Sequence, residues 1–249
     1  TGIVAKGIQQ GRFSFSGFYF RRAKRLLPAA YVTFLATTLL STLFLTRPEM
    51  RDYTRQLLGA VTFTGNIALW MQTGYFESAA ELKPLLHVWS LSIEEQYYLL
   101  LPAALVFTPR RFWRAGVWVV LVGRLALCLA LVAVKPGATF YLLPTRAWEL
   151  ALGSLGILAL DGRQGVWLAR LFWPALAVLL VVPFFPLEAP HPGLNALIAG
   201  IATLVIILRR HPLLDRSLAV RGMARLGDIS YSLYLVHWPV RGRFVETWR

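Results

Sequence analysis

Long apolar runs alternate with short polar clusters along the chain. A helix needs about 20 apolar residues to cross the hydrocarbon of a bilayer. Six runs approach that length: Leu26–Leu45, Leu91–Phe107, Gly116–Val134, Ala147–Leu160, Val166–Phe185 and Leu194–Leu208. A further run, Ile229–Val240, is too short to span and is followed by Arg241 and Arg243. Another, Leu57–Gln72, is interrupted by Thr62, Thr64, Gly65 and Asn66. The pattern predicts an all-α fold, a multi-pass transmembrane helix bundle with six full spans and a partial seventh. Gly193, Ala196 and Gly200 recur at the spacing that lets membrane helices approach closely.

Charge decides how the interrupted run is read, because cytoplasmic loops carry the excess of Lys and Arg. With residues 1–25 inside and Leu57–Gln72 not spanning, the inside loops hold sixteen cations and the outside loops six. With Leu57–Gln72 spanning, the count becomes nine inside and thirteen outside. The first arrangement fits, so the segment is expected to be re-entrant or a folded outer loop, buried in protein or lining a watery cavity. Composition points the same way. Of 249 residues, 57% are hydrophobic and 15% charged, with a net charge of +14. Disordered chains are poor in apolar residues, so disorder is excluded. One cysteine, Cys128, excludes a disulfide framework and a cysteine-rich zinc site, and no metal is expected. The cations are spread through short loops and no nucleic-acid-binding pattern occurs, so the basic charge is assigned to the bilayer and not to nucleic acid. The start Thr1-Gly2-Ile3-Val4-Ala5-Lys6 lacks a Met and a signal-peptide pattern, and the other end stops within a helix-like run. A fragment of a longer protein is expected.

Ionisable groups in apolar spans are costly and mark function by default. Arg22 and Arg25, three residues apart, share a helix face and could hold a phosphate or pyrophosphate; the alternative is a basic anchor facing lipid headgroups. Glu94 and Glu95 enter an apolar helix behind His87, Ser90 and Ser92. Being adjacent they point about 100° apart and line different parts of a polar cavity, or else one of them pairs with Arg124. Thr145 is a candidate N-cap, with Arg146 and Glu149 in the first turn, where they could simply pair with each other. Ser230, Tyr234 and His237 form one stripe of a helix face. His191 and His211, beside prolines, carry no assignment. The loop count puts Arg22 and Arg25 toward the cytoplasm and Glu94, Glu95, Arg146 and Glu149 toward the outer face, a layout suited to a reaction or transport route across the bilayer.

These stretches resemble the membrane acyltransferase-3 family of bacterial O-acyltransferases. The resemblance rests on four stretches in the family's order: Phe18 to Pro28 with its RxxR motif, Gly74-Tyr75-Phe76 through Leu99, Tyr141 to Leu150, and Ile229 to Pro239. It implies a bundle of about ten helices in the bacterial inner membrane. Residues 1–249 would then be a single acyltransferase domain lacking its first two helices and its C-terminal end. It implies transfer of an acyl group, commonly acetyl, from cytoplasmic acyl-coenzyme A to a hydroxyl of a surface glycan such as O-antigen, free or lipid-linked. Arg22 and Arg25 match the motif for the coenzyme A phosphates. Glu94, Glu95 and Glu149 would orient the family's first-helix histidine or bind sugar, with Arg146 or Ser90 polarising the carbonyl. His87, Ser90, Ser92, Tyr234 and His237 are candidates for the acceptor site. That first-helix histidine has no counterpart here, and Arg241-Gly242-Arg243 departs from the family's apolar continuation. Two other readings stand beside this one: a truncated, catalytically inactive paralogue that binds coenzyme A, and a lipid-linked sugar transporter or flippase. Inverted repeats would favour the flippase, and the sequence has none.

Overall fold

The computed structural model of the chain describes residues 1–73, 83–159, 166–208 and 218–241. The Gly74-Tyr75-Phe76 segment, His211 and Arg243 lie outside the described residues. Among the described residues helix accounts for 82% and no strand occurs, which makes the fold all-α. The helices are α1 (Gly2–Gln9), α2 (Phe15–Phe44), α3 (Arg47–Val61), α4 (Gly65–Met71), α5 (Val88–Phe107), α6 (Trp113–Leu131), α7 (Pro136–Tyr141), α8 (Leu143–Ala159), α9 (Val166–Val181), α10 (Leu194–Leu208) and α11 (Leu218–Arg241). Among the described residues two stretches, Phe15–Phe44 and Arg110–Leu131, are long and apolar enough to cross a bilayer. Shorter apolar helices cover Arg170–Val181 and Leu194–Leu208. Two compact units divide the chain, one of Phe13–Gln96 with Leu218–Arg249, the other of Thr1–Arg12 with Tyr97–Ser217. They are called here the Glu95 unit and the Glu149 unit.

In the Glu95 unit, α2 begins at the Ser14 cap, whose hydroxyl accepts from Gly17 N at 3.3 Å. The basic cluster Arg21–Arg25 lies on this helix, as the shared face of Arg22 and Arg25 leads one to expect. Glu49 starts α3 with a capping box, its carboxylate accepting from Thr46 N at 2.7 Å. The run Leu57–Gln72 is not one helix. It breaks after Val61, turns through Phe63 with φ +55°, and resumes at Gly65. Polar side chains satisfy the opened backbone, as a segment shielded from water requires. Ser92 accepts from Gly65 N at 3.1 Å, and Gln96 donates to Phe63 O at 2.9 Å and to Asn66 at 2.8 Å. Gln56 donates to Gln72 at 3.1 Å, and Gln72 donates to Asp52 O at 3.0 Å. A core of Ala30, Phe34, Tyr53, Ala60, Leu85, Val88, Leu91 and Leu235 ties α2, α3, α5 and α11 together.

The final helix is longer than its apolar stretch: α11 starts at Leu218, well before Ile229. Its first part carries Arg225 and Asp228 and two glycines, Gly222 and Gly227, so hydrophobicity does not reveal it.

The Glu149 unit packs α6 on α8 around Val117, Leu121, Cys128, Trp148, Ala151, Leu152 and Leu155. Gly200 brings α10 close, since a Cβ there would stand 2.9 Å from Leu152 Cδ2. That agrees with the small-residue spacing in the sequence. Thr145 is not an N-cap. Helix α8 starts two residues earlier, and the buried Thr145 hydroxyl faces Thr139 O and Leu142 O, each at 2.9 Å, behind α7. The first motif residue able to end the preceding turn is Pro144, whose missing N–H costs nothing in a first helical turn.

At the α3–α4 corner the backbones come close, and a Cβ on Gly59 would meet Gly65 Cα at 2.9 Å. Gly59→Ala is expected to lower stability by about 1–3 kcal/mol, seen as a lower thermal unfolding midpoint in detergent. Gly123→Ala, where a Cβ meets nothing within 4 Å, should leave that midpoint unchanged or raise it.

Candidate functional site

In the Glu95 unit a polar stripe runs along α5 between α2 and α11. At one end Arg22 Nε donates to Glu95 Oε2 at 2.7 Å, and its Nη2 donates to the other carboxylate oxygen. This is the bidentate fork that makes arginine–carboxylate pairs strong and directional. Glu94 lies 3.8 Å from the same guanidinium. Their side chains differ in exposure, 11% for Glu95 and 47% for Glu94. Glu95 is therefore the anchor and Glu94 the carboxylate open to a ligand. Arg22 is half-buried by the pair, while Arg21, Lys24 and Arg25 are exposed.

This contact corrects the layout expected from loop charge. Arg22 and Glu95 do not lie toward opposite faces; they are one ion pair. A loop count assigns helix ends to sides and cannot see that α5 begins alongside the middle of the longer α2. Both acids lie within ion-pair distance of Arg22.

One turn up α5 the acceptor candidates come together. Tyr234 on α11 donates its hydroxyl hydrogen to His87 O, and its oxygen lies 2.8 Å from Ser90 Oγ. A phenol has one hydrogen to give, so Ser90 is the donor in the second bond and keeps its lone pairs for another partner. Ser90 is thus better placed to accept from a hydroxyl than to polarise a carbonyl. The His87 ring stands 5.3 Å from both Tyr234 and His237, centroid to centroid. His237 Nδ1 lies 2.6 Å from Tyr234 O. A carbonyl only accepts, so Nδ1 carries the hydrogen, leaving Nε2 as a lone pair on an exposed ring. Burial pushes the His87 imidazole down to about 4, with His237 adding to the effect and the Leu235 backbone opposing it. Ser230, the third member of the expected stripe, turns back to Gly227 O at 2.7 Å. Ser92 is not with the cluster: its hydroxyl is fully buried between Gly65 N and Val88 O. Tyr231, which sequence reasoning passed over, joins α11 to α2 by donating to Leu26 O at 3.0 Å.

The Glu149 unit holds a second group. Arg146 Nη1 and Glu149 Oε1 pair at 3.0 Å, as their spacing predicts. The guanidinium stands 5.5 Å from the Phe140 ring centroid. Both charges line a cavity of about 200 Å³ with Trp148, Leu152, His191 and Gly200. His191 carried no assignment from sequence, since only the fold brings its loop to this cavity. Burial lowers its pKa, and the Arg146 charge lowers it further.

Residues 4–242 match the family model described as an acyltransferase domain. YrhL of Bacillus subtilis (strain 168), provisionally named a peptidoglycan O-acetyltransferase, is 28% identical over 91% of this chain and 39% of its own length. BcsY of Komagataeibacter xylinus, provisionally named a membrane-bound transacylase, is 27% identical over 89% of the chain and 58% of its own length. O-acetyltransferase OatA of Staphylococcus aureus (strain NCTC 8325 / PS 47) is 29% identical over 90% of the chain and 40% of its own length. The chain thus spans between two fifths and three fifths of these relatives' lengths. No solved structure matches it.

Removing one partner of a buried ion pair leaves the other charge uncompensated. Arg22→Gln should cost about 3 kcal/mol by thermal unfolding in detergent, and the Arg22→Gln/Glu95→Gln double variant should recover most of the loss. For His87, the unfolded chain binds a proton near the ordinary 6.5 but the folded chain only near 4. Stability is therefore full above the unfolded value and is lost as pH falls from 6.5 toward 4. The slope of unfolding midpoint against pH in that window should flatten in His87→Gln; an unchanged slope would assign it to other groups.

Proposed function

The chain belongs to the acyltransferase domain family, and from that premise we propose that it transfers an acyl group, acetyl in the first instance, from cytoplasmic acyl-coenzyme A to a hydroxyl of a cell-surface glycan. The observation that carries this reading is the family match over residues 4–242, joined to relatives named as O-acetyltransferases. Peptidoglycan stands in one relative's name; O-antigen is the other acceptor considered.

In the reaction, the acceptor oxygen forms a bond to the thioester carbonyl carbon and the carbon–sulfur bond breaks. The hydroxyl proton passes to a base, and the departing thiolate takes a proton to leave as free coenzyme A. Exposed Arg21, Lys24 and Arg25 supply positive charge for the coenzyme A phosphates. Arg22 contributes through its position: Glu95 holds its fork, and a phosphate would share or replace that partner. Glu94, more open and beside the same guanidinium, is the candidate to orient a proton-accepting group. His237 Nε2 and the Ser90 lone pairs are hydrogen-bond acceptors for a sugar hydroxyl. Arg146 and Glu149, in their own unit, offer the bidentate groups that grip vicinal hydroxyls. The membrane-spanning arrangement in the bacterial inner membrane, with more spans than the two longest helices, belongs to this proposal.

The test uses the full-length protein in proteoliposomes, with radiolabelled acetyl-coenzyme A on one side and isolated glycan on the other. Alkali-labile label should appear in the glycan, and Glu94→Gln should lower the rate by about 100-fold with coenzyme A binding retained. Labelled donor bound without transfer would replace the proposal with the inactive, coenzyme A-binding reading. Movement of lipid-linked sugar with no label would replace it with the flippase.

A further inference from the structure

Arg124 lies on α6, inside the Arg110–Leu131 stretch that is long and apolar enough to span a bilayer. An ionised side chain at such a position is costly without compensation. Its side chain is exposed, and among the described residues no carboxylate lies within salt-bridge distance of it. Seven residues separate it from Leu131, the end of α6. That is a rise of about 10 Å, within the range over which an arginine can snorkel toward the headgroups.

Beside Arg124, the second half of α5, α6 and α8 enclose a groove of about 600 Å³. That volume falls within the range of ligand-binding clefts. Leu101, Leu105, Val117, Val120 and Ala147 make its walls apolar, and among the described residues lining it Arg124 is the only charged one. Tyr97 presents its ring, since its hydroxyl is bonded to Ser154 at 2.9 Å. At Gly116 the groove is open enough that a Cβ would meet nothing within 4 Å. A neutral lipid or an apolar helix would fill the walls and leave the guanidinium uncompensated. A lipid with a phosphate satisfies both, since the planar fork of arginine matches phosphate oxygens.

We propose that this groove is a lipid-binding site that holds one acyl chain of an anionic glycerophospholipid, with the lipid phosphate against Arg124. The site stands apart from the acyl-transfer reading and does not depend on it.

The experiment is native mass spectrometry of the full chain released from nanodiscs of equal phosphatidylglycerol and phosphatidylcholine. The protein should retain phosphatidylglycerol over phosphatidylcholine by about fivefold, the preference one near-surface cation supplies. Arg124→Gln should bring the two lipids to parity, while Arg124→Lys keeps part of the preference. Gly116→Leu, which fills the groove without a backbone clash, should reduce retention of both lipids. Thermal unfolding midpoints of the variants check that they fold. Equal retention by the unaltered protein, a preference that survives Arg124→Gln, or retention untouched by Gly116→Leu would each overturn the proposal. A lipid-free dimer that Gly116→Leu converts to monomer would also overturn it, by giving the groove to a second copy of the chain.

Discussion

The bidentate pair between Arg22 and Glu95 fixes how α2 and α5 meet, and the polar stripe depends on that register. Removing either partner would leave the other's charge uncompensated in a partly buried position. Their contact, together with Ala30 and Phe34 packed in one core with Leu85, Val88 and Leu91, makes α2 and α5 antiparallel. Slide α5 by a turn and Ser90 no longer meets Tyr234, nor His87 the ring of His237, both carried by α11. The pair thus acts on the site through position, and Glu94 beside it is left available for chemistry.

Depth follows from the same register. From Arg22 to its end at Phe44, α2 continues for twenty-two residues, a rise of about 33 Å. From Glu95 back to the start of α5 at Val88 is only seven residues, about 10 Å. The beginning of α5, with His87 and Ser90, therefore lies far below the end of α2. The space above is where α3 turns back and α4 runs as a short helix. Backbone opened at such a level must find partners within the protein, and Ser92 supplies one to Gly65 N and Gln96 one to Phe63 O. Ser92, which looks like candidate chemistry in the sequence, is part of what lets the chain fold back beside the site.

Helical class, the break in Leu57–Gln72, the Arg146–Glu149 pair, the close approach at Gly200 and the family itself were all legible in the sequence. Each rests on short-range spacing or on a motif, which one chain displays. What was not legible depended on tertiary contact. Loop charge placed Arg22 and Glu95 on opposite faces, because it weighs cations by loop and ignores where helices overlap. Ser92 looked equivalent to Ser90, and only the fold shows one hydroxyl capping α4 and the other facing Tyr234. His191 gave no signal, since its neighbours Phe140 and Arg146 lie some fifty residues earlier in the chain. The early start of α11 was hidden by its charges and glycines, which apolar counting reads as loop.

The proposed route across the bilayer requires that Arg22 and Arg25 be reached from the cytoplasm and that His237, about two turns of α5 away, be reached through the protein from outside. Membrane-impermeant thiol labelling of single cysteines tests it directly, because the one native cysteine, Cys128, is buried. Lys24→Cys should react only when reagent reaches the cytoplasmic face, and His237→Cys only when reagent is applied from outside. Reaction of both cysteines from the same face would contradict the claim and remove the route across the bilayer.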